Sequence, residues 1–149
     1  MEAIMRSSVR VFTSVDLDHD EDLLDLLVAQ SKGDSSRFQV VARSTPGEMT
    51  ERWSERVRRE IQNADEVIVI CGEHTGGSER VSAELRMAQE GKKPYFLLWG
   101  RRECMCTKPV GAKSDDGMYS WIWSILQQQV GATMRNALPL EIPERYKRV

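Results

Sequence analysis

The sequence predicts an α/β domain built as a three-layer sandwich, with helices on both faces of a parallel sheet ordered 2-1-3-4, extended by a fifth strand. Three observations carry that prediction. Strand-like runs alternate with segments of helical periodicity. The third run, Glu66-Val67-Ile68-Val69-Ile70-Cys71, is apolar almost throughout, as a strand covered on both faces requires. The segments between runs are long enough for helical crossovers, which place consecutive strands parallel and right-handed.

The elements follow in order. Val9-Arg10-Val11-Phe12-Thr13-Ser14 has the β-branched and aromatic character of a strand. Asp18, with Glu21 three residues later, resembles a capping box and opens a helix carrying Leu23, Leu24, Leu27 and Val28. Lys32-Gly33-Asp34-Ser35-Ser36 ends it. A weaker second strand, Phe38 to Ala42, leads to a helix entry with Thr45 as N-cap, Pro46 in the first helical position and Glu48 in the third. Trp53, Val57 and Ile61 form its buried stripe, and the charges between them a solvated face, with Glu55 and Arg59 favourably spaced.

The third strand ends at Cys71, and a helix from about Ser78 to Glu90 is closed by Gly91 in a position compatible with left-handed backbone. Pro94 to Trp99 supplies the fourth strand. The pattern then weakens, and the fifth strand is placed around Cys104 to Cys106. A last helix, roughly Gly117 to Val130, carries Tyr119, Ile122, Trp123, Leu126 and Val130 on one stripe, with Trp121 and Ile125 beside it. Residues 1–149 read as one domain, its core about residues 9–130, with an irregular tail from Gly131 that contains Pro139 and Pro143.

Composition narrows the function classes. A chain of 149 residues can bury roughly 70% of its unfolded surface without staples. Its 21 basic and 23 acidic side chains give no footprint for nucleic acid. No apolar run reaches the roughly 20 residues needed to span a bilayer, and the start lacks the pattern of a signal peptide, so a soluble, cytoplasmic protein is expected. Three cysteines without an export signal argue against a disulfide framework. With only two histidines, Cys104-Met105-Cys106 is a poor zinc nucleus, and no metal is expected.

In an open parallel sheet, ligands bind beyond the carboxyl ends of the strands where strand order reverses. Three segments converge there: Ser14 to Asp18, Arg43-Ser44-Thr45, and Gly72 to Ser78. They suit a nucleotide. Backbone N–H groups near Gly76-Gly77-Ser78 can take phosphate at a helix N-terminus, although neither a P-loop nor a dinucleotide fingerprint is present. Ser14, Ser44 and Thr75 can bond ribose hydroxyls, while Ser44 and Thr75 can equally satisfy turn backbone. His74 can approach a base or pyrophosphate, or be an exposed loop residue without a role. With Asp18 as the helix cap, Asp16 is left to face a ligand.

Glu84 stands out. At about 100° per residue, Val81, Leu85 and Ala88 share one stripe and Glu84 falls between them and Met87. It reads either as a catalytic carboxylate at the edge of a core or as a side chain whose stem lies over apolar surface while its head reaches water. A phosphoacceptor receiver is disfavoured, because the third strand ends in Cys71-Gly72-Glu73 where a receiver wants an aspartate.

Arg10 to Asp16, Asp65 to Thr75, Val81-Ser82-Ala83-Glu84 and Tyr119 to Trp123 together resemble the prokaryotic TIR-like proteins typified by the TIR subunit of Thoeris antiphage defence. The resemblance spans about Arg10 to Val130. It implies a flavodoxin-like sheet ordered 2-1-3-4-5 and cleavage of the nicotinamide–ribose bond of NAD, as substrate and not cofactor, yielding an ADP-ribose-derived messenger of the cyclic ADP-ribose kind for an effector protein. It also implies that Glu84 is the key acid, with Ser14, Asp16 and His74 lining the pocket, and that chains self-associate. Val15 stands where an aromatic residue is common in that family. Two alternatives accompany this reading: a non-catalytic TIR-like interaction module working through the last helix and its Trp121 and Trp123, and a nucleoside deoxyribosyltransferase-like enzyme with a nucleophilic carboxylate.

Overall fold

A computed structural model describes residues 8–137 of the chain, with side chains described as far as Thr133. Five strands form one parallel sheet in the order β2-β1-β3-β4-β5. They are β1 (Val9–Ser14), β2 (Phe38–Arg43), β3 (Glu66–Cys71), β4 (Tyr95–Trp99) and β5 (Met118–Ser120), and the helices are α1 (Leu17–Ser31), α2 (Glu51–Asn63), α3 (Glu79–Glu90) and α4 (Trp123–Ala137).

The central strand sorts its side chains by parity. Val67, Val69 and Cys71 enter one cluster with Trp53, Val57 and Ile61 of α2 and Val81, Met87 and Ala88 of α3. Ile68 and Ile70 enter the other, with Leu23, Leu24 and Leu27 of α1 and Leu126 and Val130 of α4. Alternate residues of a strand point to opposite faces, so an unbroken apolar run is what a sheet covered on both sides selects. Every residue of β3 is buried. The expected α/β sandwich and strand order are present.

Several boundaries differ from the sequence reading. Asp16, not Asp18, caps α1: its Oδ1 accepts from the Asp18 backbone N–H at 3.1 Å. Thr50, not Thr45, caps α2, its hydroxyl accepting from Trp53 N–H at 3.1 Å. Gly47 has φ +113°, a left-handed step that turns the chain away from a helix starting at Pro46. Gly91 closes α3 with φ −84°, and the left-handed step falls on Lys92 at φ 55°. On α2 the close ion pair is Arg56 with Glu60 at 3.9 Å, not Glu55 with Arg59.

The fifth strand is Met118–Ser120, and α4 starts later than expected, at Trp123. The Cys104 to Cys106 stretch instead crosses the carboxyl end of β3. Gly100 N–H donates to Cys71 O at 2.8 Å and Thr107 N–H to Gly72 O at 2.9 Å, while Cys106 is buried in the α2–α3 cluster. The helix continues through Gly131 to Ala137, where an irregular tail was expected; residues 138–149, with Pro139 and Pro143, lie outside the described residues. Tyr119 and Ile122 are exposed, while Trp121 and Trp123 turn inward, their indole N–H groups donating to Gln30 and Ser35. No helix among the described residues is long and apolar enough to cross a membrane.

Candidate functional site

The carboxyl ends of β1, β2 and β3 converge on Glu84. It is 0% exposed, within a helix whose Val81, Leu85 and Ala88 pack into the sheet. Ser14, the last residue of β1, donates its hydroxyl to Glu84 Oε1 at 2.6 Å. Ser44, the residue after β2, donates to the same oxygen at 2.7 Å and accepts from Val15 N–H at 3.0 Å. Ser44 thus satisfies turn backbone, the second of its two readings, and holds the carboxylate, while it is 1% exposed and not on the wall of the crevice. Among the described residues, Glu84 Oε2 is buried without a hydrogen-bond partner.

Burial pushes the Glu84 carboxyl up to about 7, against the charge-favouring bonds from Ser14 and Ser44 and the nearby Arg80. The group changes charge near neutrality. An open carboxylate reaching water from an apolar face is not what is found.

A crevice of about 520 Å³ opens at the same rim, walled by Asp16 to His19, by Pro46, Gly47 and Met49, by His74, and by Gly77 to Arg80. Glu84 is not on its wall. Arg80, one helical turn earlier on the same side of α3, takes that place, with its guanidinium 5.4 Å from the centre of the Trp53 ring and Nη2 donating to the Gly47 carbonyl. Its Nη1 is buried and has no hydrogen-bond partner among the described residues. The segment between β2 and α2 is thus fastened to α3 by Arg80 and to α2 by Arg56, which donates to Thr45 Oγ1 at 2.6 Å. Glu84 lies sealed below the crevice, not open to it.

Asp16 lines the crevice as expected while also capping α1. Its free oxygen, Oδ2, lies 2.8 Å from His19 Nδ1. His19 in turn stacks on His74, ring centres 4.0 Å apart and planes 25° apart. The backbone of α1 is non-helical at Asp20 (φ −127°), which sets the turn carrying His19 apart from the rest of the helix. The Asp16 hydrogen bond foremost, with the Asp16, Asp18 and Asp20 charges, raises the His19 pKa above its ordinary value.

Thr75 falls out of the predicted ligand set. It is fully buried and its hydroxyl accepts from Gly72 N–H at 2.7 Å, so it serves the turn after β3. Gly76 N–H is taken by Thr107 Oγ1 at 2.7 Å, Gly77 N–H by His74 O at 3.0 Å and Ser78 N–H by Thr75 O at 3.0 Å, so none of the three expected phosphate donors is free, although Gly77 and Ser78 line the crevice. Sequence reasoning missed His19 and Arg80. Their signals were the three-residue spacing from Asp16 and the four-residue spacing to Glu84. Among the described residues no group of three or more His, Cys, Asp or Glu is placed to hold a metal ion.

The crystal structure of a prokaryotic SEFIR domain is similar at 22% identity over 91% of this chain and 97% of that one, with a TM-score of 0.48. No curated protein matches the chain. The family described as "Thoeris protein ThsB, TIR-like domain" matches residues 12–101, which hold the second half of β1, all of β2 to β4, the sealed glutamate and both histidines. With more than half of its length matched, the chain belongs to the Thoeris ThsB TIR-like domain family.

Proposed function

We propose that this TIR-like domain cleaves the nicotinamide–ribose bond of NAD through Glu84, releasing nicotinamide and giving an ADP-ribose-derived signalling nucleotide, as a glycohydrolase or cyclase in antiphage defence. One observation carries the reading: an ionisable carboxylate, dry and pinned by two serine hydroxyls, sits under a crevice at the switch point of the sheet. Cleavage of an N-glycosidic bond builds positive charge on the ribose, and a preformed anion in a water-poor site stabilises that charge far better than water does. The crevice is of a volume that suits a nucleotide.

Access to Glu84 requires the segment of residues 45–50 to swing out, because Arg80 and Arg56 hold it down in this state. On this reading chains self-associate, and the product acts on an effector protein. The three free cysteines suit a reducing cytoplasm.

Purified protein incubated with NAD at concentrations where chains self-associate is expected to release nicotinamide, and a folded Glu84→Gln variant to release it about 10²–10³-fold more slowly. Equal release by that variant overturns the assignment. The ionised carboxylate is the working form, so kcat/KM rises with pH through about 7.

A further inference from the structure

We propose that His19 is the general base that takes the proton from the hydroxyl attacking the ribosyl anomeric carbon. This rests on NAD cleavage at Glu84, as proposed above.

Four observations carry it. Asp16 uses one oxygen to hold the α1 N-terminus and the other to bind His19 Nδ1, which fixes the imidazole with its proton on Nδ1. Among the described residues Nε2 makes no hydrogen bond, and the His19 side chain is 48% exposed at the crevice wall. The face of the ring is held by His74, so its orientation is set from two sides. Finally, Asp16 follows Ser14 by two residues just past the end of β1, so the residue that holds the imidazole and the residue that holds Glu84 leave the same strand end.

The step balances. The acceptor, water or a hydroxyl of the ADP-ribosyl group itself, forms a C–O bond at the anomeric carbon. The C–N bond to nicotinamide breaks and its electron pair returns to the pyridine nitrogen. The acceptor's proton passes to His19 Nε2, and Asp16 stabilises the imidazolium formed. The charged and titratable groups around that imidazole are Asp16, Asp18 and Asp20 from its own turn, His74 from the loop after β3, Glu79 and Arg80 across the crevice, and Arg101, which donates to the His19 carbonyl.

The test exploits an acceptor with no proton to lose. A pyridine base attacks through a ring nitrogen lone pair and needs no general base, whereas water or a hydroxyl does. For His19→Asn, hydrolysis and cyclisation are expected to fall about 10²-fold while exchange with a free pyridine base stays within about twofold of wild type. The acidic limb of the hydrolysis profile is expected to lose one of its two ionisations, leaving that of Glu84. In Asp16→Asn, which keeps the helix cap, the His19 titration seen by NMR moves to lower pH. If His19→Asn loses hydrolysis and exchange equally, or neither, the base assignment fails while Glu84 stands, provided Glu84→Gln abolishes both. If wild-type protein performs neither reaction, both proposals fail.

Discussion

At the residue scale, the behaviour of Glu84 comes down to two hydroxyls. Ser14 and Ser44 share one carboxylate oxygen and favour its charged form, and burial opposes them. Removing one bond to a charged group forfeits about 1.5–3 kcal/mol, or about 1–2 pH units. Ser44→Ala is therefore expected to raise the Glu84 pKa from about 7, moving the acidic limb of pyridine exchange to higher pH. It also orphans Val15 N–H, at a cost of about 1–3 kcal/mol of stability. A limb that stays at its wild-type pH shows that the hydroxyl does not hold the charge. Glu84 was legible in the sequence because helical period alone placed it among Val81, Leu85 and Ala88. The His19–His74 stack was not, because it joins the first turn of α1 to the loop after β3, and no local period or cap encodes it.

At the scale of elements, the loop after β3 is packed against α1 with no slack. A Cβ built on Gly72 falls 2.3 Å from Asp20 Oδ2 and 2.8 Å from its Cγ. Asp20 is itself buried, its Oδ1 held by Arg101 Nε at 3.1 Å, and burial raises its pKa despite that partner. Gly72→Ala must displace a paired carboxyl group, and a loss of about 1–3 kcal/mol is expected, read from the urea midpoint. A change under about 0.5 kcal/mol means that the α1 turn yields. Long periodic elements were read correctly from sequence, since α2 and α3 declare a buried stripe. The β5 strand was not, because three residues at a sheet edge, Met118-Tyr119-Ser120, carry too little pattern to be seen. Thr45 and Thr50 are equally good caps by residue type, and the left-handed Gly47 between them decides which is used.

For the whole molecule, the layer order places a second fully buried glutamate at the opposite end of the sheet. Glu66 opens β3, is 0% exposed and, among the described residues, has no well-formed hydrogen bond to either carboxylate oxygen, the Thr133 hydroxyl being its nearest polar neighbour. Burial pushes it up to about 9, with the Asp65 charge adding to the rise and the Thr133 hydroxyl of α4 opposing it. The folded chain therefore keeps a proton that the unfolded chain releases near 4.5, and stability falls as pH rises from there to about 9. Glu84 adds to that fall only up to about 7, so between pH 7 and 9 the slope belongs mainly to Glu66. It is expected to approach about 1.4 kcal/mol per pH unit in denaturant titrations, and to be absent in Glu66→Gln. An unchanged slope in that variant removes Glu66 as its source.

On the proposed activity, the fastening of the β2–α2 segment by Arg80 would let a chain whose acid is shut in by its own loop be stockpiled without eroding the dinucleotide pool of its host, the Arg80 bond to the Gly47 carbonyl serving as a safety catch between storage and use.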